Sequence, residues 1–367
     1  MAAPIRSPSA DAILDILRTS FELMDVLRRA RGDAMGALGF DPSECPYRVI
    51  AADSYWRLRD YGGGESFAVL LVIAAPIKRP YIWDLSPSAS AIRYCLGQRL
   101  PIYMIEWLPA SRDSGNNGLD EYARAIADCV AKVSDPASAR KPFLIGHSLG
   151  GTLAAIFAAL ASETLSGLVL LSAPLCFEPQ TNGFRDALVS LVPPNLSEAE
   201  PFPGSLLSHM SAFAAPASFI WSRLTDAILS ATDHRALDVH ARVERWALDE
   251  VALPGKLVHQ IIEWLYRENR FYRGTLQLGE TLVGPLRLSA PTLAVVSMAD
   301  DVAGLTSVKP FVDAMVAKNA RIIQSPGEVG VCLQHLGMLV GREAQAQVWP
   351  QIISWLRSHS GKREAAA

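Results

Sequence analysis

KPFLIGHSLGGT, Lys141 to Thr152, decides the fold of this chain. Phe143, Leu144 and Ile145 form a short apolar run, and Gly146-His147-Ser148-Leu149-Gly150 is a G-x-S-x-G pentapeptide. Thr152 to Leu160 is rich in Ala and Leu with no breaker, so it reads as a helix. A buried strand, a sharp turn and a helix with serine at the apex form a nucleophile elbow, which lifts Oγ clear of the sheet. The flanking glycines lack Cβ, so strand and helix can approach closely. The helix N-terminus turns free N–H groups toward any negative charge that develops there.

Outward from the elbow, Phe67–Ala75 (FAVLLVIAA) and Pro101–Trp107 (PIYMIEW) are continuous apolar runs, suited to strands buried on both faces. Leu119–Val133 reads as a helix and Gly167–Ser172 as the next strand. Tyr47–Tyr61 reads as paired strands ahead of the Gly62-Gly63-Gly64 turn. Strand and helix alternate after Phe67, which implies a parallel sheet. From Pro174 to about Leu286 the alternation stops, and a helical pattern broken by Pro193, Pro194, Pro201, Pro203, Pro216 and Pro254 reads as an insertion. The alternation resumes with strands at Pro291–Val296 and Ala320–Gln324 around a helix at Val308–Val316. A loop, Pro326–Gly341, leads to a final helix at Ala344–His359, bent near Pro350. At the other end, Ala10–Arg31 has apolar residues at helical spacing, with Arg28, Arg29 and Arg31 in the last turn and Gly32 as its stop. The expected organisation is an N-terminal helical segment (1–45), a core in two parts (46–174 and 287–367) and a helical cap (175–286).

Half of the 367 residues are hydrophobic, enough for a large core, and the net charge of −3 comes with no basic stripe, so nucleic acid is not an expected partner. The five cysteines are irregularly spaced, which favours free thiols in a reducing cytoplasm over a disulfide framework. No transmembrane segment is expected: Thr152–Pro174 is interrupted by Glu163, Thr164 and Ser166, and the N-terminus lacks a signal peptide's apolar core. The GKREAAA tail is expected to fray.

A nucleophilic serine needs a base. Of seven histidines, His209, His234, His240 and His259 lie in the insertion, His359 in the tail, and His147 beside the serine with its side chain expected to point away from the apex. His335 follows the last strand, where a base belongs. The acid belongs just after the penultimate strand, where Asp300 and Asp301 are neighbours; counting from the strand favours Asp300. The order Ser148, Asp300, His335 is that of an α/β-hydrolase fold: a mostly parallel sheet, helices on both faces and an inserted cap. The oxyanion hole draws one N–H from Leu149 and one from Ala75 or Ile77, since Pro76 has none; loop geometry favours Ile77. No metal is expected: Asp233-His234 and Asp238-x-His240 read as a charged helix face.

Several segments together resemble the polyhydroxyalkanoate synthase family, especially its shorter, two-subunit class. Lys78–Leu85 (KRPYIWDL) is similar to the family's N-[RK]-P-Y-I-x-D-L stretch, continued by Ser86–Leu96 and Tyr103–Trp107. ERWALDEVALPG and LYRENRFYRG, within Glu244–Gly274, are similar to its cap-to-core return, and QHLGMLV (Gln334–Val340) to its catalytic-histidine loop. The likeness runs from about Pro46 to the end. It implies polyester synthesis from 3-hydroxyacyl-CoA beneath a mobile cap, with Ser148, His335 and Asp300 at the triad positions. This chain has serine where the family has cysteine, Asp301 where the family usually has histidine, and an enlarged loop before His335. The expected activity is acyl transfer through an acyl-serine to a hydroxyl acceptor, with an esterase, thioesterase or depolymerase as the alternative and a non-catalytic binding protein as a third reading. No cofactor is expected; an acyl-CoA or acyl-carrier thioester fits as the small-molecule acyl substrate. A partner subunit or homodimer through the cap or N-terminal helix is the expected assembly.

Overall fold

A computed structural model describes residues 10–111, 116–134, 140–192, 198–316 and 320–360; Pro193, Pro194 and the 361–367 tail lie outside the described residues. Eight strands form the main sheet: β1 (Arg48–Ala52), β2 (Trp56–Asp60), β3 (Leu70–Ile73), β4 (Ile102–Trp107), β5 (Phe143–His147), β6 (Gly167–Leu171), β7 (Thr292–Ser297) and β8 (Ala320–Ser325). Their order is β1-β2-β4-β3-β5-β6-β7-β8. The two edge pairings β1–β2 and β2–β4 are antiparallel, and every pairing from β4 to β8 is parallel.

The apolar runs reflect burial on both faces. In β3, Leu71 and Ile73 join the core on one side and Leu70 and Val72 the core on the other. The first face is covered by α3 (Leu119–Val133) and α4 (Leu149–Leu160); the second carries α2 (Ala91–Gly97) and the C-terminal helix Trp349–His359. Between β6 and β7 run α5 (Gly183–Leu191), α6 (Gly204–Ala214), α7 (Ser222–Ser230), α8 (His234–Ala247) and α9 (Gly255–Gln260). Phe184, Leu188, Phe202, Leu253 and Ile262 form a third apolar cluster there, joined by Val302 from the segment after β7.

Two local expectations are corrected. The N-terminal helix α1 (Ala10–Met35) does not stop at Gly32, because that glycine packs against α8, within 3.7 Å of the Leu248 side chain for a Cβ placed there. Tertiary contact overrides the weak helix propensity of glycine. A hairpin, Leu276–Leu278 with Thr281–Val283, stands where helix was expected. Its two-residue turn begins at Gly279 with φ +53, which glycine adopts without strain. The final helix runs from a π-helical turn at Ala344–Val348 directly into Trp349–His359, with Pro350 in the first turn of the latter, where its missing N–H costs nothing.

α1 is built into the fold through polar contacts. Buried Asp25 accepts hydrogen bonds from Gly204 N (3.2 Å) and Ser205 N (2.8 Å), supplying the α6 N-terminus with the carboxylate it favours. Arg28 Nε (2.8 Å) and Lys78 Nζ (2.6 Å) share Glu250, which is 1% exposed and also accepts from Ser208 Oγ at 3.2 Å. Burial pushes the Lys78 ammonium down to about 8 against the pull of Glu250. Glu250→Ala should therefore cost about 3–5 kcal/mol, because it leaves two cations without their shared carboxylate. The shift in urea midpoint measures it; an unchanged midpoint would show the cluster to be well hydrated.

Candidate active site

The elbow is set by sterics. Ser148 sits at φ 54, ψ −134, a backbone state that a non-glycine residue holds only when its surroundings impose it. A Cβ on Gly150 would lie 2.2 Å from Ile73 O, and one on Gly146 would lie 2.6 Å from Gly151 Cα. Ser148 N donates to Leu171 O at 3.0 Å, tying the turn to β6. Leu149 begins α4, so its N–H has no partner within the helix ladder.

His335 stands in a short 3-10 turn (Gln334–Leu336) after β8, and Asp300 in the turn after β7. His335 Nδ1 donates to Asp300 Oδ2 at 2.8 Å, and the rest of the carboxylate accepts from Val302 N (2.9 Å) and Ala303 N (3.2 Å). Burial opposes the charge on Asp300, but His335 and the two backbone donors hold its carboxyl down at about 2. His335 Nε2 is buried with no hydrogen-bond partner. A nitrogen so placed accepts a proton as soon as a donor is brought beside it. Asp301 is exposed and accepts from Ser218 Oγ at 3.0 Å, on the segment between α6 and α7.

Ser148, Leu149, His335, Ala75 and Ile77 line one cavity of about 330 Å³, whose other walls include Phe184, Met210, Phe219 and Tyr266. Ile77 and Ala75 are both present, so the second donor position stays shared between them. The strand beneath this loop is anchored by Trp107 Nε1, which donates to Ala74 O at 2.8 Å.

His147 does not leave the site. Its Nε2 donates to the His335 carbonyl at 2.7 Å, and the two rings are 4.7 Å apart. The odd positions of β5 face the side of the sheet on which the His335 loop packs; Phe143 and Ile145 share that core with Leu336. Strand alternation carries this signal in the sequence. Burial above all, then the neighbouring His335, lowers the His147 imidazole from 6.5 to about 3. The unfolded chain thus binds a proton near neutrality that the folded chain refuses, so stability falls as pH falls through this window. From roughly pH 7 to pH 5 this group should remove about 2 kcal/mol. His147→Gln keeps a donor without titrating, so urea midpoints measured across that range should show a shallower slope.

Asp233 caps α8 through Arg235 N (2.9 Å) and Ala236 N (3.2 Å), and Asp238 pairs with Arg242. All five cysteines are buried and unbridged. No helix among the described residues is long and apolar enough to cross a membrane.

The α/β hydrolase fold family matches residues 91–196. Among curated proteins, the chain is 27% identical over 365 residues to the poly(3-hydroxyalkanoate) polymerase subunit PhaC of Haloferax mediterranei, covering 96% of this chain and 73% of that one. It is 25% identical to the PhaC subunit of Thiocystis violacea, over 88% and 90% of the two chains. Among solved structures it is similar to a monoacylglycerol lipase of Paleococcus ferrophilus (TM-score 0.52, 17% identity, 84% of this chain and 100% of that one). It is similar too to a monoglyceride lipase of Saccharomyces cerevisiae (TM-score 0.54, 10% identity, 87% and 98%). These structures bear on the fold alone. The chain has the α/β-hydrolase fold and is similar over most of its length to poly(3-hydroxyalkanoate) polymerase subunits.

Proposed function

We propose that the chain is an acyltransferase that uses Ser148 as nucleophile. His335 takes the Oγ proton, Asp300 holds the imidazole tautomer and stabilises the imidazolium, and the N–H groups of Leu149 and Ile77 receive the oxyanion. An acyl-serine forms from a 3-hydroxyacyl thioester or ester, the thiol or alcohol leaves with the proton from His335, and a hydroxyl takes the acyl group. The observation that carries this reading is the convergence of a strained serine and an unpartnered His335 Nε2 on one apolar cavity. An apolar wall around the acyl-serine disfavours water and supports a hydroxyl acceptor.

Exposed Leu23 and Leu27 on α1, with Phe213 and Trp221 among the inserted helices, support docking of a partner subunit or a second copy. The buried free thiols fit a reducing cytoplasm.

The test offers 3-hydroxyacyl-CoA together with a short alcohol and separates the products. Transfer predicts an ester of the alcohol or an oligoester. Free acid alone would assign the chain to hydrolysis instead. A fluorophosphonate that leaves Ser148 unlabelled in the folded protein would remove both readings.

A further inference from the structure

Behind the wall that carries His335 lies a second cluster of chemically active side chains. A ring nitrogen of His240, a carboxylate oxygen of Glu244 and the sulfur of Cys332 lie within 4.8 Å of one another. His240 and Glu244 are one turn apart on α8, while Cys332 comes from the loop three residues before His335. Cys332 and Arg223 also line the substrate cavity.

Two features fit a cation. Asp226, on α7, accepts from His240 Nδ1 at 2.8 Å, which leaves the imidazole lone pair on Nε2. A carboxylate behind a histidine is the usual support of a metal-ligating imidazole. Cys332 Sγ donates to Glu244 Oε1 at 3.1 Å, so one proton now joins the soft ligand to the hard one, where a divalent ion would replace it.

We propose that His240, Glu244 and Cys332 bind a borderline-soft divalent metal ion of the zinc class. The Cys332 S–H bond breaks, its proton leaves to solvent, and a metal–thiolate bond forms beside metal–nitrogen and metal–carboxylate bonds. Nothing is oxidised or reduced. The ligands close by a small inward rotation, and Arg223, which donates through Nε to Glu244 Oε1 at 2.7 Å, shares that carboxylate with the ion. Asp226 also accepts from Gly330 N (2.7 Å) and Cys332 N (2.8 Å), so the ion would clamp α7 and α8 to the loop that carries His335. The site departs from the sequence reading, which assigns no metal and places His240 on a charged helix face. It is independent of the chemistry assigned to Ser148.

The test is a cobalt titration of the full chain after treatment with a chelator. A single equivalent should bind, with thiolate-to-cobalt charge-transfer absorption in the near ultraviolet, and zinc should displace it. Cys332→Ser should lose that absorption, and Asp226→Asn should weaken binding by about tenfold or more. Absence of the charge-transfer band in the wild-type chain at millimolar cobalt overturns the proposal, whether or not the variants fold. A band that survives unchanged in folded Cys332→Ser overturns it too.

Discussion

Ser148→Ala is expected to lower turnover of an activated acyl ester on the order of 10⁵-fold and to abolish fluorophosphonate labelling. The substitution removes the atom that forms the acyl bond while leaving the other groups around the cavity in place. Ser148 makes no side-chain capping bond to α4, so folding does not depend on its hydroxyl. The thermal midpoint should therefore stay within the small range typical of a substitution that breaks no contact, about 0.5 kcal/mol. Labelling kinetics and a melting curve on the same preparation check both halves. Retained turnover would place the nucleophile elsewhere, with Cys332 on the same cavity wall as the first residue to examine.

Asp300→Asn is the second large effect, and its neighbour is the control. Asn can keep an oxygen toward Val302 N and Ala303 N, but it then turns an NH₂ group toward His335 Nδ1. Two donors facing each other force the other imidazole tautomer, which places a proton on Nε2, where the base needs a lone pair. Turnover should fall by roughly 10⁴-fold. Asp301→Asn should change it by no more than a few fold, since Asp301 is exposed and touches Ser218 instead. Reversed results would assign the acid to Asp301.

The same carboxylate carries a stability signature. Its folded value of about 2 lies below the ordinary 3.8, so the native state favours the charged form. That contribution is present above pH 3.8 and is lost as pH falls through about 2, on the order of 2 kcal/mol in all. Acid unfolding of Asp300→Asn should lack this component.

The sheet is legible in the sequence because its strands are apolar on both faces; FLIG and LLVI need no tertiary information to be read as buried β. The closeness of His335 to Asp300 is legible for a topological reason. Both follow neighbouring parallel strands, β7 and β8, so the turns after those strands open at the same end of the sheet. What escaped the sequence depends on contacts between distant elements. Asp25 reads as an ordinary helix-surface carboxylate until α6 is set against it. Gly32 reads as a stop until α8 packs there. Asp226, His240 and Cys332 are separated by up to 106 positions, and no local pattern joins them. His147 was within reach: alternation along β5 puts it on the same side as the core beneath His335.

The packing at the elbow also bears on how this lineage can change. Gly146 and Gly150 are fixed by backbone atoms that no neighbouring rotamer can move aside. Ser148 faces a cavity, and its oxygen holds up nothing in α4. The frame is thus closed to mutation at its glycines and open at its apex. Oxygen and sulfur nucleophiles are a single nucleotide apart in the genetic code and similar in size. A change between ester-forming and thioester-forming chemistry is therefore open to selection in one step, with the scaffold left as it stands.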